Sequence, residues 1–122
     1  MPFTKGELED KISRAVTQWE REYLGRGSVQ VKTDILRNMV IIFLKGILTP
    51  AEKKVAETQE GMLSIKKSRT ELVESGKEQL KALIGELLDI PIYSFHTDLS
   101  TRTGERLMVF MLERPFDAEK YY

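Results

Sequence analysis

Apolar residues recur at Leu8, Ile12, Val16, Trp19 and Tyr23. Steps of three and four line one face of a helix. The start of this helix is marked. Thr4 stands three residues before Glu7, so each side chain can bond the other's backbone N–H, and Phe3 and Leu8 are placed as a hydrophobic staple. Gly25 falls just past the stripe, where a left-handed cap is wanted.

The period then changes to two. Val29, Val31, Thr33 and Ile35 alternate with Gln30, Lys32 and Asp34, which predicts a half-buried strand. Met39 to Leu44 is apolar at every position and predicts a strand with two apolar faces, joined to the first by a tight turn at Leu36-Arg37-Asn38. Thr49, Pro50 and Glu52 form a second helix start, with a capping threonine, proline at the first helical position and a glutamate three residues on. The helical pattern continues to about Leu88, with a break expected near Gly61 and a stripe through Met62, Ile65, Leu72, Leu80, Leu83, Ile84, Leu87 and Leu88. Gly76 and Gly85 lie on or beside this stripe and allow close approach of other groups. Pro91 ends the helix. Ile90 to Leu99 predicts a third strand and Glu105 to Glu113 a fourth, apolar on both faces from Leu107 to Leu112. Residues 114–122 show no period and predict a loosely ordered tail.

These elements define an α+β fold, a two-layer αβ sandwich in the order α-β-β-α(-α)-β-β. Strands with two apolar faces belong at the centre, which gives a four-stranded sheet of order 1-2-4-3. Two arrangements of cover remain open. The helices take one face each, or they share one face and a second subunit covers the other, which predicts a homodimer.

The 122 residues suit a single domain, with a core spanning about residues 4–113. Lys+Arg and Asp+Glu are both 19, and the charge is mixed along the whole chain. The basic footprint of a nucleic-acid binder is therefore missing, and Tyr93 and Phe95 alone do not make an RNA platform. No cysteine and one histidine exclude disulfides and any multi-histidine metal site within the chain. The N-terminus lacks the apolar stretch of a secretory signal. The longest apolar run, Met39 to Leu44, is far short of the roughly 20 residues of a membrane span. A soluble, cytoplasmic protein with at most peripheral membrane contact is expected.

Chemistry concentrates in residues 96–106. This stretch holds the only imidazole (His96), two carboxylates (Asp98 and Glu105), four hydroxyls (Thr97, Ser100, Thr101 and Thr103), two guanidinium groups (Arg102 and Arg106) and Gly104. In a strand His96 and Asp98 share a face, so Asp98 is placed to orient the imidazole. Hydroxyls and guanidinium groups at a turn suit an anion. The same residue types also close turns through bonds to the backbone. No nucleophile–base–orienter set is complete, so no catalytic residue is assigned and no enzyme is expected. Gly25-Arg26-Gly27 follows a helix and enters a strand, the reverse of a phosphate loop, and reads as a helix cap with Arg26 near the sheet's end. Lys66-Lys67-Ser68-Arg69 reads as a solvated face.

Three segments together, Gly25-Arg26-Gly27, Leu48-Thr49-Pro50-Ala51-Glu52 and residues 96–106, resemble the MpsC-like family of small bacterial proteins over roughly residues 8–113. Ser28 departs from the proline that the family pattern favours there. The resemblance implies a link to a sodium-translocating, membrane-potential-generating system associated with inorganic carbon uptake. It carries no catalytic residue and no cofactor. With no membrane span, the chain's implied place in such a system is that of an accessory or regulatory subunit with a protein partner. The binding candidates are His96, Asp98, Ser100, Thr101, Arg102, Thr103, Gly104, Arg106 and Arg26. The competing expectation is a small anion- or nucleotide-binding sensor using the same hairpin.

Overall fold

A computed structural model describes residues 3–116. The first helix, α1, runs Lys5–Trp19. Thr4 and Glu7 close the expected capping box, with the Glu7 N–H donating to Thr4 Oγ1 at 3.1 Å and the Thr4 N–H to Glu7 Oε1 at 3.2 Å. The chain then widens into a π-helical turn, Glu20–Leu24, ended by Gly25 in the left-handed region at φ 93°. Leu8, Ile12, Val16 and Trp19 are buried. Tyr23, also on the predicted stripe, is half exposed, because the wider turn carries it past the core edge to stack on Trp19 at 5.2 Å between ring centroids.

Strands β1 (Gln30–Leu36) and β2 (Met39–Lys45) form a hairpin, with Arg37 in the left-handed region at φ 57°. Helices α2 (Pro50–Val55), α3 (Gln59–Ser75) and α4 (Lys77–Leu88) follow, then β3 (Ile92–Ser100) and β4 (Glu105–Leu112). The sheet is antiparallel throughout, in the order β1-β2-β4-β3. This is the predicted order, and its cause is burial. β2 and β4 carry apolar side chains on both faces, so the central positions suit them.

The long helical segment breaks twice. The first break, Ala56 to Thr58, lies just before Gly61. A Cβ on Gly61 would lie 1.8 Å from the Val55 carbonyl oxygen, so only glycine lets α3 start this close to the end of α2. The second break is at Gly76, which sits against Trp19 and Tyr23. That interruption turns the α3 stripe out of phase with α4. Val73 is buried while Leu72 is half exposed, and Leu80, Ile84 and Leu88 carry the burial in α4.

Opposed residues of an antiparallel ladder point to the same face. The inner face therefore carries Ile35, Val40, Ile42, Leu44, Met108, Phe110 and Leu112, all buried in one cluster with α1, Val73 and α4. The described helices share this one face. The outer face carries Met39, Ile41, Phe43, Leu107, Val109 and Met111, none of which belongs to that cluster. Residues 114–116 are held, with the Phe116 N–H bonded to the Arg37 carbonyl at 2.8 Å and Arg114 to the Asp89 carbonyl at 2.9 Å. The remainder of the expected loose tail, 117–122, lies outside the described residues.

Gly76→Ala is expected to destabilise the protein by about 1–3 kcal/mol in urea unfolding. Alanine is the better helix former by about 1 kcal/mol, but its methyl would lie 2.6 Å from Trp19 Cζ2 and 2.9 Å from Tyr23 Cε2. Overpacking against aromatic rings outweighs propensity. An unchanged or raised midpoint would refute this account of the break.

Candidate functional site

The three marked sequence segments meet at one end of the sheet. The Ile47 N–H donates to the Gly104 carbonyl at 3.1 Å, and Arg26 Nη1 donates to the Ile47 carbonyl at 2.8 Å. The Val29 N–H donates to the Lys45 carbonyl at 2.8 Å. The Ser28 N–H and Oγ both donate to the Glu20 carboxylate, at 3.0 and 2.7 Å. A proline at 28 would have neither donor, so Ser28 has a local role in holding Glu20.

Arg106 is the centre of this end. It is opposite Leu44 on β2 and Leu99 on β3, on the inner face, and only 4% exposed. Its Nη1 donates to Thr97 Oγ1 at 2.9 Å and its Nη2 to the Arg69 carbonyl at 3.2 Å. Thr97 Oγ1 in turn donates to the Leu107 carbonyl at 2.8 Å. Burial pushes the Arg106 guanidinium down to about 10, helped by the Arg69 charge and opposed by Glu20, Asp98 and Glu74. It remains a cation at neutral pH. Glu20, 5% exposed, lies on the same buried side.

Arg69 holds a second pair. Its Nε and Nη2 donate to the two oxygens of Glu52 at 2.8 and 2.5 Å, a fork geometry that fixes α2 against α3. Glu52 also completes the capping box with Thr49. The Arg69 hydrogen bonds hold the Glu52 carboxyl down at about 2, against the opposing effect of burial. The space between Glu20, Ile47, Arg69, Val73 and Arg106 is about 10 Å³, room for one water at most. Every buried side-chain nitrogen or oxygen among the described residues has a partner.

The other predicted residues divide by face. His96 and Asp98 share the outer face, as the strand period requires, but each bonds elsewhere. His96 Nε2 is 3.0 Å from Ser94 Oγ. Asp98 accepts from the Leu99 N–H at 2.8 Å and pairs with Lys66 at 3.3 Å. The Leu99 N–H first, then Lys66, lower its carboxyl below the usual range. Ser100 Oγ accepts from the Thr103 N–H at 3.2 Å, and Gly104 turns the chain at φ 70°. Arg102 and Thr103 are exposed at the tip, with Thr101 half-buried beside them. The basic cluster on α3 is likewise divided. Lys66 and Arg69 are paired, while Lys67 and Ser68 face solvent.

Among the described residues no group of three or more His, Cys, Asp or Glu is placed to hold a metal ion, and no helix is long and apolar enough to cross a membrane. A larger depression of about 520 Å³ lies along Glu78, Lys81, Gly85 and Asp89–Ile92 and holds none of the predicted site residues.

Sequence reasoning left Glu20 out and placed Arg69 on a solvated face. A signal for the two buried charges, Glu20 and Arg106, was present. Glu20 follows Val16 by four on the buried stripe, and Arg106 shares the strand parity of Met108, Phe110 and Leu112. A charge in phase with core residues is a buried charge seeking partners.

The fold and this polar end are those of a small α+β protein with a charged cluster closed beneath one end of its sheet. The chain belongs to the family described as "Na+-translocating membrane potential-generating system (MpsC)", whose model matches residues 4–114. It is 62% identical over 112 residues to the uncharacterized protein YbcI of Bacillus subtilis (strain 168), covering 92% of this chain and 90% of the relative. It is 24% identical over 106 residues to the uncharacterized protein YrhF of the same organism, covering 86% and 87%. No solved structure matches.

Two predictions separate structural from surface charge. Arg106→Ala is expected to cost roughly 2–4 kcal/mol in urea unfolding, because it removes the cation beside buried Glu20 and strips Thr97 of a partner. Arg102→Ala is expected to stay within about 0.5 kcal/mol of wild type. Equal effects would refute the distinction. The second concerns Glu52. A folded value below the ordinary 4.5 contributes stability that is complete above about 4.5 and is lost as pH falls toward 2. Glu52→Gln is therefore expected to lower stability at neutral pH by roughly 1–3 kcal/mol, with the gap to wild type closing in acid. A gap that persists at the acid end would refute the pairing as its cause.

Proposed function

We propose that the chain is a non-enzymatic accessory or regulatory subunit that acts by contact with proteins of a membrane ion-translocating system. The observation that carries this reading is the state of the 96–106 segment. Arg106, Thr97, Ser100 and Asp98 are bonded within the fold, and the enclosed space beside Arg106 admits no substrate. What remains for recognition is surface, chiefly the hairpin tip with Arg102 and Thr103, together with Lys67 on the neighbouring α3. The family description supports the association with ion translocation and the generation of membrane potential. A role in inorganic carbon uptake is the finer form of the same reading.

The test is recovery of membrane-embedded partners on a tagged chain from detergent-solubilised membranes, identified by mass spectrometry. Arg102→Ala is expected to reduce recovery several-fold with no change in melting temperature. Recovery equal to wild type sinks the role of the tip. An anion-sensor function predicts instead a raised melting temperature with phosphate, bicarbonate or nucleotide, and that result would replace the accessory reading.

A further inference from the structure

The outer face of the sheet has an order of its own. Ladder register sets its residues in four rows running from β1 through β2 and β4 to β3. The rows are Leu36–Met39–Met111–Ser94, Asp34–Ile41–Val109–His96, Lys32–Phe43–Leu107–Asp98 and Gln30–Lys45–Glu105–Ser100. The two central columns hold six apolar side chains, with Leu107 45% exposed, and no described helix covers them. The charges obey a rule. In the two rows with a formal charge on both halves the sign on the β1–β2 half is opposite to that on the β4–β3 half, and in a third an acid stands across from an imidazole. Asp34 is matched by His96, Lys32 by Asp98 and Lys45 by Glu105.

That antisymmetry is what a two-fold axis in the interface demands. An axis parallel to the strands, midway between β2 and β4, keeps each row and exchanges its left and right halves. A second copy placed by it sets Lys32 over the partner's Asp98, Lys45 over the partner's Glu105 and Asp34 over the partner's His96. Met39 then meets Met111, Ile41 meets Val109 and Phe43 meets Leu107. Apolar groups face apolar groups, and every charged pair is of opposite or polar character. An axis perpendicular to the strands does worse, since it sets Lys45 and Glu105 over Met39 and Met111. None of Lys32, Asp34, Lys45 and Glu105 is in an ion pair among the described residues, while Asp98 is paired with Lys66 of its own copy at 3.3 Å and has its second carboxylate oxygen left for a partner's Lys32. The angle of about 30° between packed sheets shifts the edge strands by only about 4 Å, within the reach of a lysine's four-carbon stem.

We propose that this face is the interface of a homodimer, two sheets packed face to face about a two-fold axis along their strands. Such an interface is isologous, as closed dimers require. Four strands about 4.8 Å apart and seven residues at about 3.4 Å give a footprint of roughly 450 Å² per copy, about 900 Å² in total, which is the size of a weak, transient interface. The dimer is therefore reversible and its population follows concentration. This inference goes beyond the accessory-subunit reading, because contact between copies needs no membrane partner.

The test is sedimentation velocity of the full chain over roughly a hundredfold range of concentration. The mass is expected to rise toward twice 14.1 kDa. Lys32→Glu and Asp98→Lys are each expected to weaken the dimer by about tenfold or more, and the double variant to restore it. Residues 32 and 98 sit on opposite edges of the sheet, about 14 Å apart, so rescue between them can come only from another copy. Both are exposed, and unchanged melting temperatures will show that the variants fold. A wild-type chain that stays monomeric, a dimer indifferent to either single swap, or a swap that is not rescued overturns the proposal. So does a monomer that pelts down with anionic phosphatidylglycerol vesicles, which would assign the face to a lipid surface.

Discussion

The pairing of β2 with β4 is the constraint on which the rest of the structure depends. Both strands are apolar on both faces, and neither suits an edge, where a row of backbone groups and one flank of side chains meet water. Their pairing leaves β1 and β3, each with polar residues in alternation, for the two edges. It also brings the two hairpins into one sheet although 46 residues of helix and loop separate Lys45 from Ile92. Val40, Ile42 and Leu44 then stand beside Phe110, Met108 and Arg106. The inner surface so formed is the platform against which α1 and α4 bury Leu8, Ile12, Val16, Leu80, Ile84 and Leu88.

One position on that platform is not apolar. Arg106 occurs where the alternation calls for a core residue, and a guanidinium cannot be buried without partners. Its hydrogen bonds to Thr97 and to the Arg69 carbonyl, with Glu20 near by, are the local answer. The arrangement draws α3 in through Arg69, and Arg69 draws in α2 through Glu52. Segments that look like ligand-binding chemistry in one dimension are thus largely the polar fastening of a helical arm to a sheet. Val73 is the one buried apolar residue of α3, so this fastening has more to do than it would beneath an amphipathic helix.

The family gives this architecture a setting without giving it a mechanism. The described part of the chain has no helix long and apolar enough to cross a membrane, its family is described by a sodium-translocating system, and the accessory role proposed above has it act by contact with other proteins. A sheet with one face packed and the other apolar in the middle and charged at its borders suits such a role. It offers a broad, flat surface on one side and a polar hairpin at one end, so that self-association and contact with a partner need not compete for the same residues.

Much of this was legible one residue at a time. Periods of three to four and of two located the elements, the Thr4–Glu7 and Thr49–Glu52 spacings located two helix starts, and two-sided apolarity determined the strand order. These signals are local or depend on burial alone, and so survive in a bare sequence. The second break at Gly76 was not legible, because it depends on Trp19 and Tyr23, more than fifty residues away. Nor was it decided in advance that the helices share a face, since amphipathic stripes specify that a face is buried and not which one. Whether His96 pairs with Asp98, and whether Arg106 meets solvent or core, depended likewise on which side chains the tertiary fold brought alongside. Hydrogen bonds and ion pairs have a reach of a few ångströms, and distances on that scale between remote residues exist only after the chain has folded.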